Sequence, residues 1–228
     1  MTQPHKVADK THPDPAGFVR ANTVLQSPRL LPELRFHLAS EVMPLWHTTE
    51  EELAEQGIPP PYWAFAWAGG QAVARYILDT PDSVRGLSVL DFAAGCGVAG
   101  LAARKAGATR VAATEIDPFA CAAVRLNAAA NGLSVELARG DVIGRLDGGW
   151  DVVLAGDVCY EEPMASRVTA WLRDLARQGT AVLLGDPGRA YKPGTGLTRL
   201  AHYPVPTTRE LEDSDLRNAS VWRLQSLL

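Results

Sequence analysis

The sequence predicts a single α/β domain built on a mostly parallel sheet, and three observations carry that expectation. Val89 to Gly100 reads V-L-D-F-A-A-G-C-G-V-A-G, an apolar strand that ends on Asp91 and breaks into a glycine turn before a helix. Strands and helices alternate from there to Gly185, and βαβα repetition makes a parallel sheet with its ligand site at the carboxyl edge of the strands. The last two strand-like pieces, Thr207 to Leu211 and Ser220 to Leu224, are short and close together, which suits an antiparallel pair rather than another βα unit.

The 228 residues suffice for one large domain with an elaborated N-terminal end. Residues 1–20, rich in proline and aspartate, are expected as a mobile tail, residues 21–80 as a helical extension, and residues 81–228 as the main domain. Within the extension, Leu31, Leu34, Leu38 and Val42 recur at helical spacing and predict a helix over Leu30 to Val42. Thr48 to Leu53 predicts a capped, acid-started helix that stops near Gly57. Pro59-Pro60-Pro61 forbids regular structure and delivers Tyr62, Trp63, Phe65 and Trp67. The first three read as core, and Trp67, beside two glycines, stands evenly between core and cofactor contact. Gly69-Gly70 leads into a helix through Asp79.

In the main domain the expected strands are Val89 to Asp91, Arg110 to Glu115, Val135 to Ala138, Asp151 to Ala155 and Thr180 to Gly185. The helices between them are Val98 to Ala106, Pro118 to Asn131 and Pro163 to Gln178. The last carries Val168, Trp171, Leu172 and Leu175 as its buried stripe.

Composition narrows the function. A net charge of −4 and a pI of about 5.7 disfavour a nucleic-acid partner, which calls for a basic face. Three cysteines, odd in number and widely spaced, suggest neither a disulfide framework nor a zinc site, and fit a reducing cytoplasm. No run of 18 apolar residues marks a membrane span, and the N-terminus reads as neither a signal nor a transit peptide. The five histidines lack ligand spacing, and G-x-S-x-G, H-E-x-x-H and P-loop motifs are missing.

Gly95, Gly97 and Gly100 satisfy G-x-G-x-x-G, so the turn alone fits either a dinucleotide or S-adenosylmethionine. The neighbouring acids decide between them. A pyrophosphate on the helix N-terminus would be repelled by a carboxylate at the strand tip, where this chain has Asp91. S-adenosylmethionine has no phosphate and carries a sulfonium and an ammonium, so that acid is an asset. Glu115, 24 residues beyond Asp91, can accept from both ribose hydroxyls of either cofactor. Asp141 follows the third strand and can accept from an adenine amino group. Asp157 follows the fourth and opens Asp157-Val-Cys-Tyr160. Four acids on one sheet edge suit a cationic cofactor and a cationic nucleophile. In Gly185-Asp186-Pro187-Gly188-Arg189, Asp186 bonds locally and Arg189 is either solvated or meets a substrate acid.

These residues resemble a known family. Pro61 to Gln71 (P-Y-W-A-F-A-W-A-G-G-Q), the glycine motif, Thr114 to Pro118, Leu154 to Tyr160, Leu184 to Arg189 and Ser220-Val-Trp222 look like the seven-strand protein lysine methyltransferases. Within that group the match is to the electron transfer flavoprotein beta-subunit lysine methyltransferases, from about Asn22 to Trp222. The resemblance implies a Rossmann-like class I sheet and S-adenosyl-L-methionine as cofactor. It also implies a protein substrate, the electron transfer flavoprotein beta subunit; with the charge and hydropathy above, a monomer with no nucleic-acid or membrane partner is expected. It places Trp67, Asp91, Ala93, Gly95 and Gly97 around the methionine part of the cofactor, Glu115 with the ribose and Asp141 with the adenine, with Ile116 and Val142 also in the cofactor site. Asp157 and Tyr160 then receive the target lysine. One departure stands out: the family has glycine where this chain has Ala93, which predicts a slightly tighter turn. A methyltransferase of small molecules, a dinucleotide oxidoreductase and a non-catalytic binding module remain as competing classes.

Overall fold

The computed structural model describes residues 14–40, 58–207 and 215–226, together with Thr48, Glu52 and Glu55. Its centre is a seven-stranded sheet formed by β3 (Ser88–Phe92), β4 (Arg110–Glu115), β5 (Glu136–Arg139), β6 (Val152–Gly156), β7 (Ala181–Asp186), β8 (Leu197–Pro206) and β9 (Leu216–Leu224). The spatial order is β5-β4-β3-β6-β7-β9-β8. The first five are parallel and the β7–β9 and β9–β8 pairs antiparallel. A separate two-stranded ribbon pairs β1 (Val24–Gln26) with β2 (Phe36–Leu38).

Side-chain alternation along the central strands explains the layers. Val89, Val152 and Leu154 face one side, where α2 (Ala68–Asp79) and α3 (Val98–Lys105) contribute Ala72, Val73, Ile77, Ala99 and Ala103. Leu90, Phe92, Val153 and Ala155 face the other, against Val168, Trp171, Leu172 and Leu175 of α5 (Met164–Arg177). The expected stripe of that helix is therefore its buried face. Next, α4 (Pro118–Ala130) packs Phe119 and Ala123 against Trp63 and Val19.

Four local expectations are corrected. Residues 15–20, expected in the tail, form with Ala21 the helix α1 (Pro15–Ala21), capped by the Asp14 carboxylate on the N–H groups of Ala16 and Gly17. Residues 30–40 are turns followed by β2 rather than a helix. Pro28 and Pro32 interrupt helical hydrogen bonding, while Leu34, Phe36 and Leu38 alternate with Arg35 and His37 at strand period and are buried. The same leucines satisfied both periods. The first strand of the terminal pair is Leu197–Pro206, upstream of Thr207 to Leu211. It carries Pro204 and Pro206, tolerated because β8 is the sheet's edge and a missing N–H there breaks no ladder. Tyr62, expected in the core, is 48% exposed, whereas Trp63 is buried. Val42, Leu211 and most of the helix expected after Thr48 lie outside the described residues.

Candidate active site

Strand order reverses between β3 and β6, since β4 and β5 build outward on one side and β7 on the other. Loops that leave such a point in opposite directions open a crevice at the carboxyl edge. Asp91 and Asp157 sit at the tips of those two strands, and both line one cavity with Phe65, Trp67, Ala93 and Gly95.

Asp91 is buried, and its Oδ2 accepts from the Gly100 N–H of α3 at 2.8 Å. Burial pushes its carboxyl up to about 8; the Gly100 hydrogen bond opposes that, and the nearby Glu115 charge adds to it. Beyond it the chain turns through Ala93 at φ +50°, Gly95 at +56° and Gly97 at +80°, the last capping α3. At Ala93 the methyl group meets a left-handed backbone, a conformation costly for a residue with Cβ. At Gly95 a Cβ would meet nothing within 4 Å, so the turn leaves open space where a ligand can approach the backbone.

Glu115 closes β4 and holds the turn from the side. Its Oε1 accepts from Gly95 N–H at 2.6 Å and its Oε2 from Ile116 N–H at 3.1 Å. Burial raises its carboxyl above the usual range, against those hydrogen bonds. Ile116 follows with 69% exposure, an apolar side chain left in the open at the sheet edge. Asp141 and Val142 lie beyond β5, outside the cavity lining. Asp141 is exposed, caps its own turn through Ile143 N–H at 2.9 Å, and reaches Arg167 at 3.5 Å.

Asp157 is buried at φ +56°. Its Oδ2 accepts from Gly70 N–H at 3.0 Å, its Oδ1 from the Arg189 guanidinium at 3.1 Å, and its own N–H donates to Gly185 O at 3.0 Å. The first bond requires the start of α2 to lie against the strand tips: a Cβ on Gly156 would fall 2.7 Å from Gly70 Cα. This explains the paired glycines beside Trp67. Trp67 starts α2 and donates from Nε1 to Tyr62 O at 2.8 Å, and the Arg189 guanidinium lies 5.8 Å from its ring centre. Tyr160 stands outside the cavity lining, 42% exposed, its ring 5.8 Å from that of Tyr62. Burial pushes its phenol up to about 12.

Three contributors escaped the sequence reading. Phe65, assigned to the core, packs against the Trp63 cluster and also lines the cavity. Gly70 supplies a backbone donor, which no side-chain pattern announces. Arg189 meets the chain's own Asp157 rather than a substrate acid. Asp186 does bond locally, to the N–H groups of Gly188 and Arg189, but its buried Oδ2 has no hydrogen-bond partner among the described residues.

The lysine methyltransferase family model matches residues 62–192. The electron transfer flavoprotein beta subunit lysine methyltransferase of Danio rerio is 38% identical over 217 residues, covering 92% of this chain and 83% of that one. The Homo sapiens protein of the same name is 36% identical over 220 residues, with 93% and 83% covered. A solved Thermoplasma acidophilum structure shares the fold at TM-score 0.51 and 17% identity, over 68% of this chain and 89% of that one. With Asp91, the glycine turn and Glu115 arranged around one crevice, the chain belongs to the lysine methyltransferase family and has the class I S-adenosylmethionine-dependent methyltransferase fold.

Proposed function

We propose that this chain transfers a methyl group from S-adenosylmethionine to lysine side chains of the electron transfer flavoprotein beta subunit. One observation carries the reading: the buried carboxylates Asp91 and Asp157 face a single cavity from adjacent strand tips. Two such acids suit a cationic donor meeting a cationic side chain. The names of the relatives support the substrate.

The residues fit the donor. The open space at Gly95 admits it against the backbone, and Asp91 is a buried acid whose ionised form a nearby cation favours. Trp67, Ala93 and Gly97 flank the methionine part, Glu115 takes the ribose hydroxyls, and Ile116, Asp141 and Val142 take the adenine. Bound there, S-adenosylmethionine supplies a methyl group: the amine lone pair forms the N–CH3 bond as the C–S bond breaks, its electron pair returning to sulfur. Asp157 aligns the lysine, and Tyr160 and Tyr62 wall its approach. The lysine must arrive neutral, and near pH 7.4 only about one in a thousand is, a deficit of about 4 kcal/mol. Its proton leaves to water before attack. Free, buried cysteines support a reducing compartment, the cytoplasm in this reading.

Incubating the protein with labelled S-adenosylmethionine and electron transfer flavoprotein tests this. Label recovered as methyl-lysine from the beta subunit is expected, with a thermal shift from S-adenosylhomocysteine and none from NAD. Label confined to metabolites of a cell lysate would move the substrate to small molecules.

A further inference from the structure

We propose that Arg189 is a positioning residue that neutralises Asp157 during catalysis, so that the pocket holds the target lysine as an amine rather than as an ammonium ion. This rests on the lysine-transfer reading above and resolves a conflict within it. An unpaired carboxylate beside the acceptor would stabilise the ammonium form and work against attack.

The geometry removes that conflict. Both oxygens of Asp157 are engaged, one by Gly70 N–H and the other by the guanidinium at 3.1 Å. The pair is sheltered, with 20% and 9% of the two side chains exposed. In such a setting the charges cancel at close range instead of being screened by water. Arg189 is also held from three directions, which argues against its being a plug that the lysine displaces. Its backbone N–H is fixed by Asp186 Oδ1 at 2.9 Å, its guanidinium lies 5.8 Å from the Trp67 ring centre, and its head is bound to Asp157. Arginine suits the role because it stays protonated at every pH the enzyme meets.

Other charges face the same region and set the background. Asp186 and Lys192 flank Arg189 on its own loop, and both, with Glu162, act on Cys159 beside it. Asp91 lies across the cavity with Glu115 behind it, and Glu161 stands near Tyr160. Acids outnumber cations in this set. Losing Arg189 would therefore make an already acidic pocket more negative, with Asp157 left to retain the lysine proton.

The test is a pH profile of kcat at saturating donor and electron transfer flavoprotein, for wild type, R189Q and R189K. In R189Q the acid limb should move up by about one pH unit. Turnover near pH 7 then drops about tenfold and recovers toward wild type at high pH. R189K should bring the limb back down, because an ammonium restores the charge. Calorimetry in buffers of different ionisation enthalpy gives a second readout: substrate binding to the S-adenosylhomocysteine complex should release a larger fraction of a proton in wild type than in R189Q. A loss in R189Q that is equal at all pH values would reduce Arg189 to a structural tie. A gain in kcat/KM would make it a plug. Either result overturns the inference while leaving the methyltransferase reading intact. Wild type that binds no donor and transfers no label would end both.

Discussion

Asp91 and Gly100 occupy each other's space: the carboxylate accepts from the Gly100 N–H at 2.8 Å, and a Cβ on that glycine would fall 2.8 Å from the same oxygen. The third glycine of the motif therefore serves close packing between β3 and α3, and the acid's position depends on it. Gly100→Ala should push Asp91 off the helix and cost about 1–3 kcal/mol of stability, the range for overpacking a buried contact. Denaturant midpoints would register the loss. Donor affinity measured by calorimetry should fall with it, and unchanged affinity would detach Asp91 from the donor site.

Asp91 also makes stability depend on pH. Its carboxyl titrates near 8 in the folded chain against an ordinary value of 3.8. Below 3.8 both states carry the proton, and between the two values only the folded state keeps it. Folding stability from this group therefore declines as pH rises toward 8 and levels off above it. Asp91→Asn should flatten that decline in urea melts taken between pH 5 and 9. A cationic donor favours the ionised form, so donor affinity should rise over the same interval with fractional proton release.

Ala93 holds a left-handed backbone within the glycine turn, at φ +50°. Left-handed backbone costs an alanine about 1–2 kcal/mol, and a glycine returns part of that through its freer unfolded chain. Ala93→Gly should stabilise the protein by about 0.5–1 kcal/mol, visible as a raised thermal midpoint. A lower midpoint would mean that the methyl group contributes packing that outweighs the strain.

Legibility followed burial. The parallel strands β3, β4, β6 and β7 could be read because each is a short, largely apolar run flanked by turn residues, and their carboxyl ends pointed to Asp91, Glu115 and Asp157 without any structure. β8 was misplaced because an edge strand need not be apolar and its prolines read as breakers. β2 was taken for helix because Leu31, Leu34 and Leu38 obey a period of three to four, while the competing alternation of Leu34, Phe36 and Leu38 was the one the fold used. The Asp157–Arg189 pair joins residues 32 apart, and no spacing rule announces such a contact. Site chemistry was legible where strands end, and hidden where loops fold back.

Asp157 joins the start of α2 to the loop after β7, so its carboxylate has two separable properties, charge and shape. Asp157→Asn keeps the shape and can still accept from Gly70 N–H, but it gives up the ion pair with Arg189. Methyl transfer should fall by about 100-fold or more while donor affinity stays within about threefold, because Asp91 and the glycine turn remain in place. Retained turnover would remove Asp157 from lysine alignment.

Ile116 offers a test that separates binding from folding. Its side chain is 69% exposed and touches little, so Ile116→Ser should shift stability by no more than about 0.5 kcal/mol. Its neighbour Glu115 holds the glycine turn, which puts an uncovered apolar surface next to the proposed ribose position. An adenine laid over it would bury apolar area that contributes about 1–2 kcal/mol. Donor affinity should therefore weaken about tenfold in Ile116→Ser, with kcat at saturating donor unchanged, since the side chain is remote from the transferred methyl group. Calorimetry with S-adenosylhomocysteine reads the first quantity and steady-state kinetics the second. Undiminished affinity would mean that the adenine rests elsewhere on the sheet edge.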